Sequence, residues 1–330
     1  MQSGKVRPRT RSDPARPAFA ASGEPAIRVR GLRMSYGTYE AVCGIDLDAA
    51  QGEILAFLGP NGAGKTTTTE ILEGFRKRTA GDVRVLGEDP AGAGPGWRSR
   101  IGVVLQACAP ERLLTVRECL AMYAGYYPRP LPVSQVLSLT GLAEKASSMC
   151  EQLSGGQQRR LDVALALIGD PELIFLDEPT TGFDPSARRQ AWQVISGLRD
   201  LGKTIFLTTH YMDEAEALAD RIMVLCAGRI AASGTPQSIG GRSAGTTTIS
   251  FTLPDGLTAG QLPALPGQDP DHGRPTAARG RVEIPVSDPV PALHALTGWA
   301  LERRLTLPDL AVSRPSLEDI YLRLTAGGAT

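Results

Sequence analysis

The chain has 330 residues, enough for two domains of ordinary size, and 42% of them are apolar, ample for a packed core. Lys+Arg and Asp+Glu both number 35, so net charge is zero. That argues against binding nucleic acid through bulk charge, and leaves open small anionic ligands, which need only a local site. The five cysteines (Cys43, Cys108, Cys119, Cys150, Cys226) are scattered with no C-x-x-C spacing, and read as buried reduced thiols in a reducing, cytoplasmic compartment.

Residues 1–25 are expected to form a disordered basic tail, with Lys5, Arg7, Arg9, Arg11 and Arg16 set among prolines. The tail lacks the apolar stretch of a secretory signal. It is either simply solvated or attracted to anionic lipid headgroups. No apolar run downstream approaches the ~20 residues of a membrane-spanning helix, so a membrane role is expected to come through a partner.

Residues 26–235 alternate in pattern. Short β-rich runs occur at Ile27–Val29, Ile54–Leu58, Val83–Leu86, Ile101–Leu105, Leu173–Leu176, Thr204–Leu207 and Ile222–Leu225, with helical patterns between several of them. This predicts an α/β domain with a largely parallel sheet. Asp184-Pro185 predicts a helix start and Gly202 its end. Residues 236–330 predict a small α+β domain. A strand over Thr246–Leu253 is followed by a flexible segment near 254–277. Then come a strand (Val282–Val286), a helix (Pro289–Leu296), a strand (Leu301–Leu305) and a closing helix. In that helix Leu317, Ile320, Tyr321 and Leu324 share one face, and Ser316 with Asp319 predicts its capping pair.

Gly59-Pro60-Asn61-Gly62-Ala63-Gly64-Lys65-Thr66 fits the phosphate-binding pattern G-x-x-x-x-G-K-[ST], between a strand and a helix start at Thr67. Glycines let backbone N–H groups wrap a phosphate, and the helix N-terminus adds positive potential. Lys65 would reach the β- and γ-phosphates of ATP, the Thr66 hydroxyl would bind Mg²⁺, and Thr67 would help hold the phosphates. Leu173–Glu178 is an apolar strand ending in two acids. Asp177 would position Mg²⁺, and Glu178 would act as general base on the attacking water.

Leu153-Ser154-Gly155-Gly156-Gln157 is a Ser and two glycines opening a helix, expected over 158–168. With the phosphate loop before it and Asp177 after it, the run resembles the signature of ATP-binding-cassette (ABC) ATPases. The resemblance covers residues 26–235. It implies a P-loop NTPase core with an antiparallel β subdomain and a helical subdomain. It also implies a dimer in which Ser154, Gly156 and Gln157 touch ATP held by a second copy. Tyr36 stands where the family stacks an aromatic on adenine. Gln106 stands where it contacts Mg²⁺ and senses the membrane subunit, and His210 where it contacts the γ-phosphate. Gly182-Phe183-Asp184 resembles the dimer-contacting loop, with Phe183 in place of the usual Leu.

Arg314–Leu324 looks like the ending of drug- and antibiotic-exporter cassettes of the daunorubicin-resistance type. It is also a generic amphipathic helix. The resemblance implies an ATPase peripheral on the inner face of the cell membrane, paired with a separate integral-membrane permease of the ABC-2 class. That permease is expected to dock around Gln106–Tyr127. The alternative is a non-transport ABC-class ATPase. The absence of a coiled-coil insertion disfavours a DNA-repair relative, and the single phosphate loop a ribosome-associated one. Intact Lys65, Asp177, Glu178 and His210 disfavour a non-hydrolysing regulator.

Overall fold

A computed structural model describes residues 23–104, 113–241, 247–254, 256–268, 276–278, 281–313 and 316–326. Gln106, Cys108 and most of the N-terminal tail lie outside the described residues.

The chain opens on a hairpin, β1 (Ile27–Tyr36) and β2 (Tyr39–Ala49). β1 is far longer than the run Ile27–Val29, and β2 was not expected at all. Their apolar faces are broken by charged positions that pair on the solvent side, Arg30 with Asp48 at 2.8 Å and Arg33 with Glu40 at 2.6 Å. The pairing also slips at three places along the ladder. Both features blur the two-residue period that marks a strand in sequence.

β3 (Ile54–Leu58) leads into α1 (Lys65–Leu72), then β4 (Ala80–Val85), the short α2 (Pro95–Arg98) and β5 (Ile101–Val104). Three helices follow, α3 (Val116–Ala124), α4 (Val133–Leu139) and α5 (Gly155–Leu167). Then β6 (Leu173–Asp177), α6 (Pro185–Asp200), β7 (Thr204–Thr209), α7 (Met212–Leu218), β8 (Arg221–Cys226) and β9 (Arg229–Gly234) complete the larger body. Asp184 caps α6 by accepting from the N–H groups of Ser186 and Ala187, and Gly202 (φ +80°) follows the helix in the left-handed region.

The main sheet has the order β5-β6-β7-β3-β8-β9, parallel except for β9, while β2-β1-β4 form a separate antiparallel sheet. Residues along β6 alternate between two cores, as the pleat requires. Leu173 and Phe175 face the β1–β2–β4 side, where Phe57 and Phe206 also pack; Ile174 and Leu176 face the side covered by α3–α6. Burial on both faces is why these strands read as unbroken apolar runs. Leu58, Asp177 and Thr209 end three of the strands at one edge of the sheet, the edge where open α/β sheets bind ligands.

The remaining elements are β10 (Thr247–Thr252), β11 (Thr276–Ala278), β12 (Arg281–Val286), α8 (Pro289–Glu302), β13 (Ala311–Ser313) and α9 (Leu317–Ala326). The strands form a second antiparallel sheet, β11-β12-β10-β13, with α8 against it. The expected strand over Leu301–Leu305 is not formed. α8 runs on through Glu302 because Ala292, Leu296 and Ala300 make one buried stripe, and the helix then ends at Arg304 in the left-handed region. Ser316 and Asp319 form the expected reciprocal cap of α9. That helix seats Leu317 not on the second sheet but in a cluster with Leu58, Ala215 and Ile222 of the larger body. Among the described residues no helix is long and apolar enough to cross a membrane.

Glu73 follows α1, is 5% exposed, and its carboxyl has no hydrogen-bond or ion-pair partner among the described residues. Burial first, then the charges of Asp177 and Glu70, push its pKa from an ordinary 4.5 to about 8. Between those two values the native state holds a proton that the unfolded chain has released, so this group lowers stability as pH rises through the window. Glu73→Gln should therefore stabilise the protein more at pH 9 than at pH 5, read as the shift in urea midpoint at each pH. An equal shift at both would contradict the assignment.

Candidate functional site

The loop Gly59–Thr67 is shaped by crowding as much as by flexibility. A Cβ on Gly59 would collide with the Leu225 carbonyl oxygen of β8, and one on Gly64 would stand 2.5 Å from the Ala41 carbonyl oxygen. Gly62 and Gly64 also lie at φ +78° and +104°, which a side chain disfavours. The Gly228 N–H donates to the Ala63 carbonyl at 3.1 Å, so the β8–β9 turn holds the loop from outside. Pro60 is half-buried, and Asn61 and Thr66 are exposed along the rim.

Lys65 is 7% exposed, and its Nζ donates to the carbonyls of Gly59 at 2.6 Å and Pro60 at 3.2 Å. Burial lowers its pKa, opposed by the charges of Glu178 and Asp177. Tyr36 and Thr67 meet at 3.4 Å between their hydroxyls, and the Arg76 guanidinium lies 5.3 Å from the Tyr36 ring centroid. Tyr39, which no sequence motif marks, donates to the Gly62 carbonyl at 3.4 Å. Its proximity depends on β2, so no local motif announces it.

The acids stand at the end of β6. Asp177 Oδ1 accepts a short hydrogen bond from Thr208 Oγ1 on β7. The Glu178 N–H donates to the Thr208 carbonyl at 3.0 Å. Glu178 adopts φ +44°, a left-handed conformation that costs a residue with a side chain and tends to mark functional sites. That backbone turns its carboxylate toward His210, whose Nδ1 lies 3.3 Å from Oε1, while Thr181 Oγ1 donates to Oε2 at 3.2 Å. Arg159 of α5 donates to the carbonyls of Asp177 at 2.8 Å and Pro179 at 3.1 Å, fixing this turn to the helix. The phosphate loop, Tyr36, Asp177, Glu178 and His210 line one cavity of about 740 Å³.

The donors Thr66 and Asp177 offer that cavity oxygen only, and no group of three His, Cys, Asp or Glu residues that could hold a metal occurs among the described residues. A sparse oxygen set completed by phosphate oxygens and water suits Mg²⁺ rather than a softer metal. Gln106, the third expected metal contact, lies outside the described residues.

Ser154 caps α5. Its hydroxyl accepts from the Gln157 N–H at 3.4 Å, and Gln157 Oε1 accepts in return from the Ser154 N–H at 3.0 Å. Ser154 and Gly156 line a different cavity of about 720 Å³, together with Gly182, Phe183 and Asp184. Of the expected catalytic pair, Glu178 lines both cavities and His210 only the first. The first cavity can take a polyphosphate against backbone N–H groups and an ammonium, and set a carboxylate beside it. The second opens at the N-terminus of α5, with Ser154, Gly155 and Gly156 on its wall.

Comparison with known proteins agrees with this arrangement. A family profile described as ABC transporter matches residues 42–181, and one for the C-terminal domain of ABC transporter domain-containing proteins matches residues 247–316. The chain is 36% identical to the daunorubicin resistance ATP-binding protein DrrA3 of Streptomyces coeruleorubidus, over 92% of this chain and 96% of that one. It is 39% identical to the Nod factor export ATP-binding protein I of Rhizobium meliloti, over 91% and 88%. Among solved structures, a post-hydrolysis dimer of an ATP-binding cassette bound to ADP and Pi matches with a TM-score of 0.57 at 25% identity, over 63% of this chain and 98% of that one. A P-loop fold, a phosphate loop facing paired acids and full-length likeness to ATP-binding subunits lead to one conclusion: the chain belongs to the ABC transporter family as an ATP-binding subunit, and it is an ATPase.

Proposed function

We propose that this ATPase drives export through a separate membrane permease, with each ATP held between two copies of the chain. The observation that carries the reading is the position of Glu178, on the rim of both cavities and 3.3 Å from His210. A general base on a composite site must sit at the seam. The likeness to daunorubicin resistance and Nod factor export proteins supports an exporter of the ABC-2 class, and that to a dimeric cassette supports the pairing. Its place would be the inner face of the membrane. We assign the ATPase body to residues 26–235 and the accessory domain to 236–330.

In this reading ATP enters the phosphate-loop cavity and its phosphates take over the Lys65 ammonium from the Gly59 and Pro60 carbonyls. Backbone N–H groups of Gly62 to Thr67 hold the phosphates, and the exposed Tyr36 ring meets the adenine. Thr66 and Asp177 would hold Mg²⁺, which when bound offsets phosphate charge. Glu178 accepts the proton of the attacking water, and His210 orients Glu178 and contacts the γ-phosphate. Ser154, Gly156 and Gln157 of a second copy close over the other face, with N–H groups at the start of α5 directed at phosphate. Phe183 and Asp184 line that seam. The permease would dock beside Tyr123, Tyr127 and the exposed Phe75, which border a groove of about 560 Å³.

Lys65→Ala should weaken ATP binding at least tenfold, about 1.4 kcal/mol, measured with a fluorescent ATP analogue; unchanged affinity would remove the phosphate-loop assignment. Glu178→Gln should lose at least a hundredfold in turnover, the scale of general-base loss, and accumulate ATP-bound dimers in sedimentation. Wild-type turnover in that variant would show that another group takes the proton.

A further inference from the structure

The C-terminal helix reaches the nucleotide cavity. Leu317 of α9 is 1% exposed within the cluster built from β3, α7 and β8. Ile320 is 2% exposed and seats on Gly240, where φ is +60° and a Cβ would collide with the isoleucine side chain. These two anchors fix the rotation of the helix. The next residue, Tyr321, packs partly buried against the same cluster and lines the cavity that holds Gly59, Lys65 and His210.

The neighbours of α9 locate this tyrosine within the cavity. The helix contacts α7, which begins two residues after His210, and β8, whose Leu225 carbonyl abuts Gly59. Tyr321 also lies near Cys226, the last residue of β8. Tyr36 and Tyr39 stand instead at Thr67 and Gly62. Tyr321 therefore lines the cavity from the side of α7 and the end of β8. A phenol hydroxyl is protonated at neutral pH and can donate a hydrogen bond, and burial raises the pKa of Tyr321 further.

We propose that Tyr321 is a nucleotide-binding residue, donating its hydroxyl to the terminal phosphate of ATP and tying the C-terminal segment to the occupancy of the site. The inference rests on the reading that this cavity takes ATP. It gives the closing helix a part beyond packing: a ligand contact on α9 is a contact on α7 and β8 as well, so binding and the seating of the C-terminal segment reinforce one another.

The test is the affinity of the full chain for ATP and for ADP in Tyr321→Phe, with Lys65→Ala alongside and thermal unfolding to verify the fold. Loss of a hydrogen bond to a charged group predicts about tenfold weaker ATP binding in Tyr321→Phe, with ADP affinity and melting temperature near wild type. Unchanged ATP affinity would overturn the proposal, as would equal weakening for ATP and ADP, which marks a packing residue. If Lys65→Ala binds ATP like the wild type, the ATP reading of the cavity falls, whatever Tyr321 does.

Discussion

The arrangement turns on one buried charge. Lys65 carries an ammonium into a site where it is 7% exposed, and among the described residues its hydrogen bonds go to the carbonyls of Gly59 and Pro60. Desolvation disfavours that charge, and the nearby carboxylates of Asp177 and Glu178 offset part of the cost. Neutral carbonyls are weaker partners for an ammonium than phosphate oxygens. The cavity is thus electrostatically prepared for an anion. The glycines that let Lys65 fold inward stand against the Leu225 and Ala41 carbonyls, so a side chain at either could be fitted only by moving β8 or β2.

The second constraint is the turn at Glu178. Its left-handed backbone is strained, and three neighbours hold it there: Thr208 through the backbone, Thr181 through the carboxylate, and Arg159 through the carbonyls on either side. Arg159 belongs to α5, the helix that Ser154 caps. A displacement of that helix would therefore be felt at Asp177 and Glu178. In the proposed dimer, such a linkage would let contact with a second copy's ATP bear on hydrolysis of the chain's own.

Much of this was legible in the sequence, for a physical reason. Strands β3, β6, β7 and β8 are buried on both faces and read as unbroken apolar runs, and the caps at Asp184 and Ser316 are local chemistry. What escaped depends on contacts distant in sequence. β2 pairs its charged residues across a bulged hairpin, so its alternation is disguised, and Tyr39 goes with it. The expected strand Leu301–Leu305 gives way to helix because the stripe Ala292, Leu296 and Ala300 carries α8 on through Glu302. Tyr321 lies on the apolar face that the spacing predicts, but nothing local says that the face meets α7 and β8 rather than the second sheet.

The central claim is that one chain supplies only half of each ATP site. Its most direct test places Ser154→Arg in the Glu178→Gln background and measures both ATP affinity of the monomer and ATP-dependent dimerisation. Ser154 lies outside the phosphate-loop cavity, so the double variant should bind ATP as Glu178→Gln alone does and yet remain monomeric. Dimers formed as readily as in Glu178→Gln alone would contradict the account.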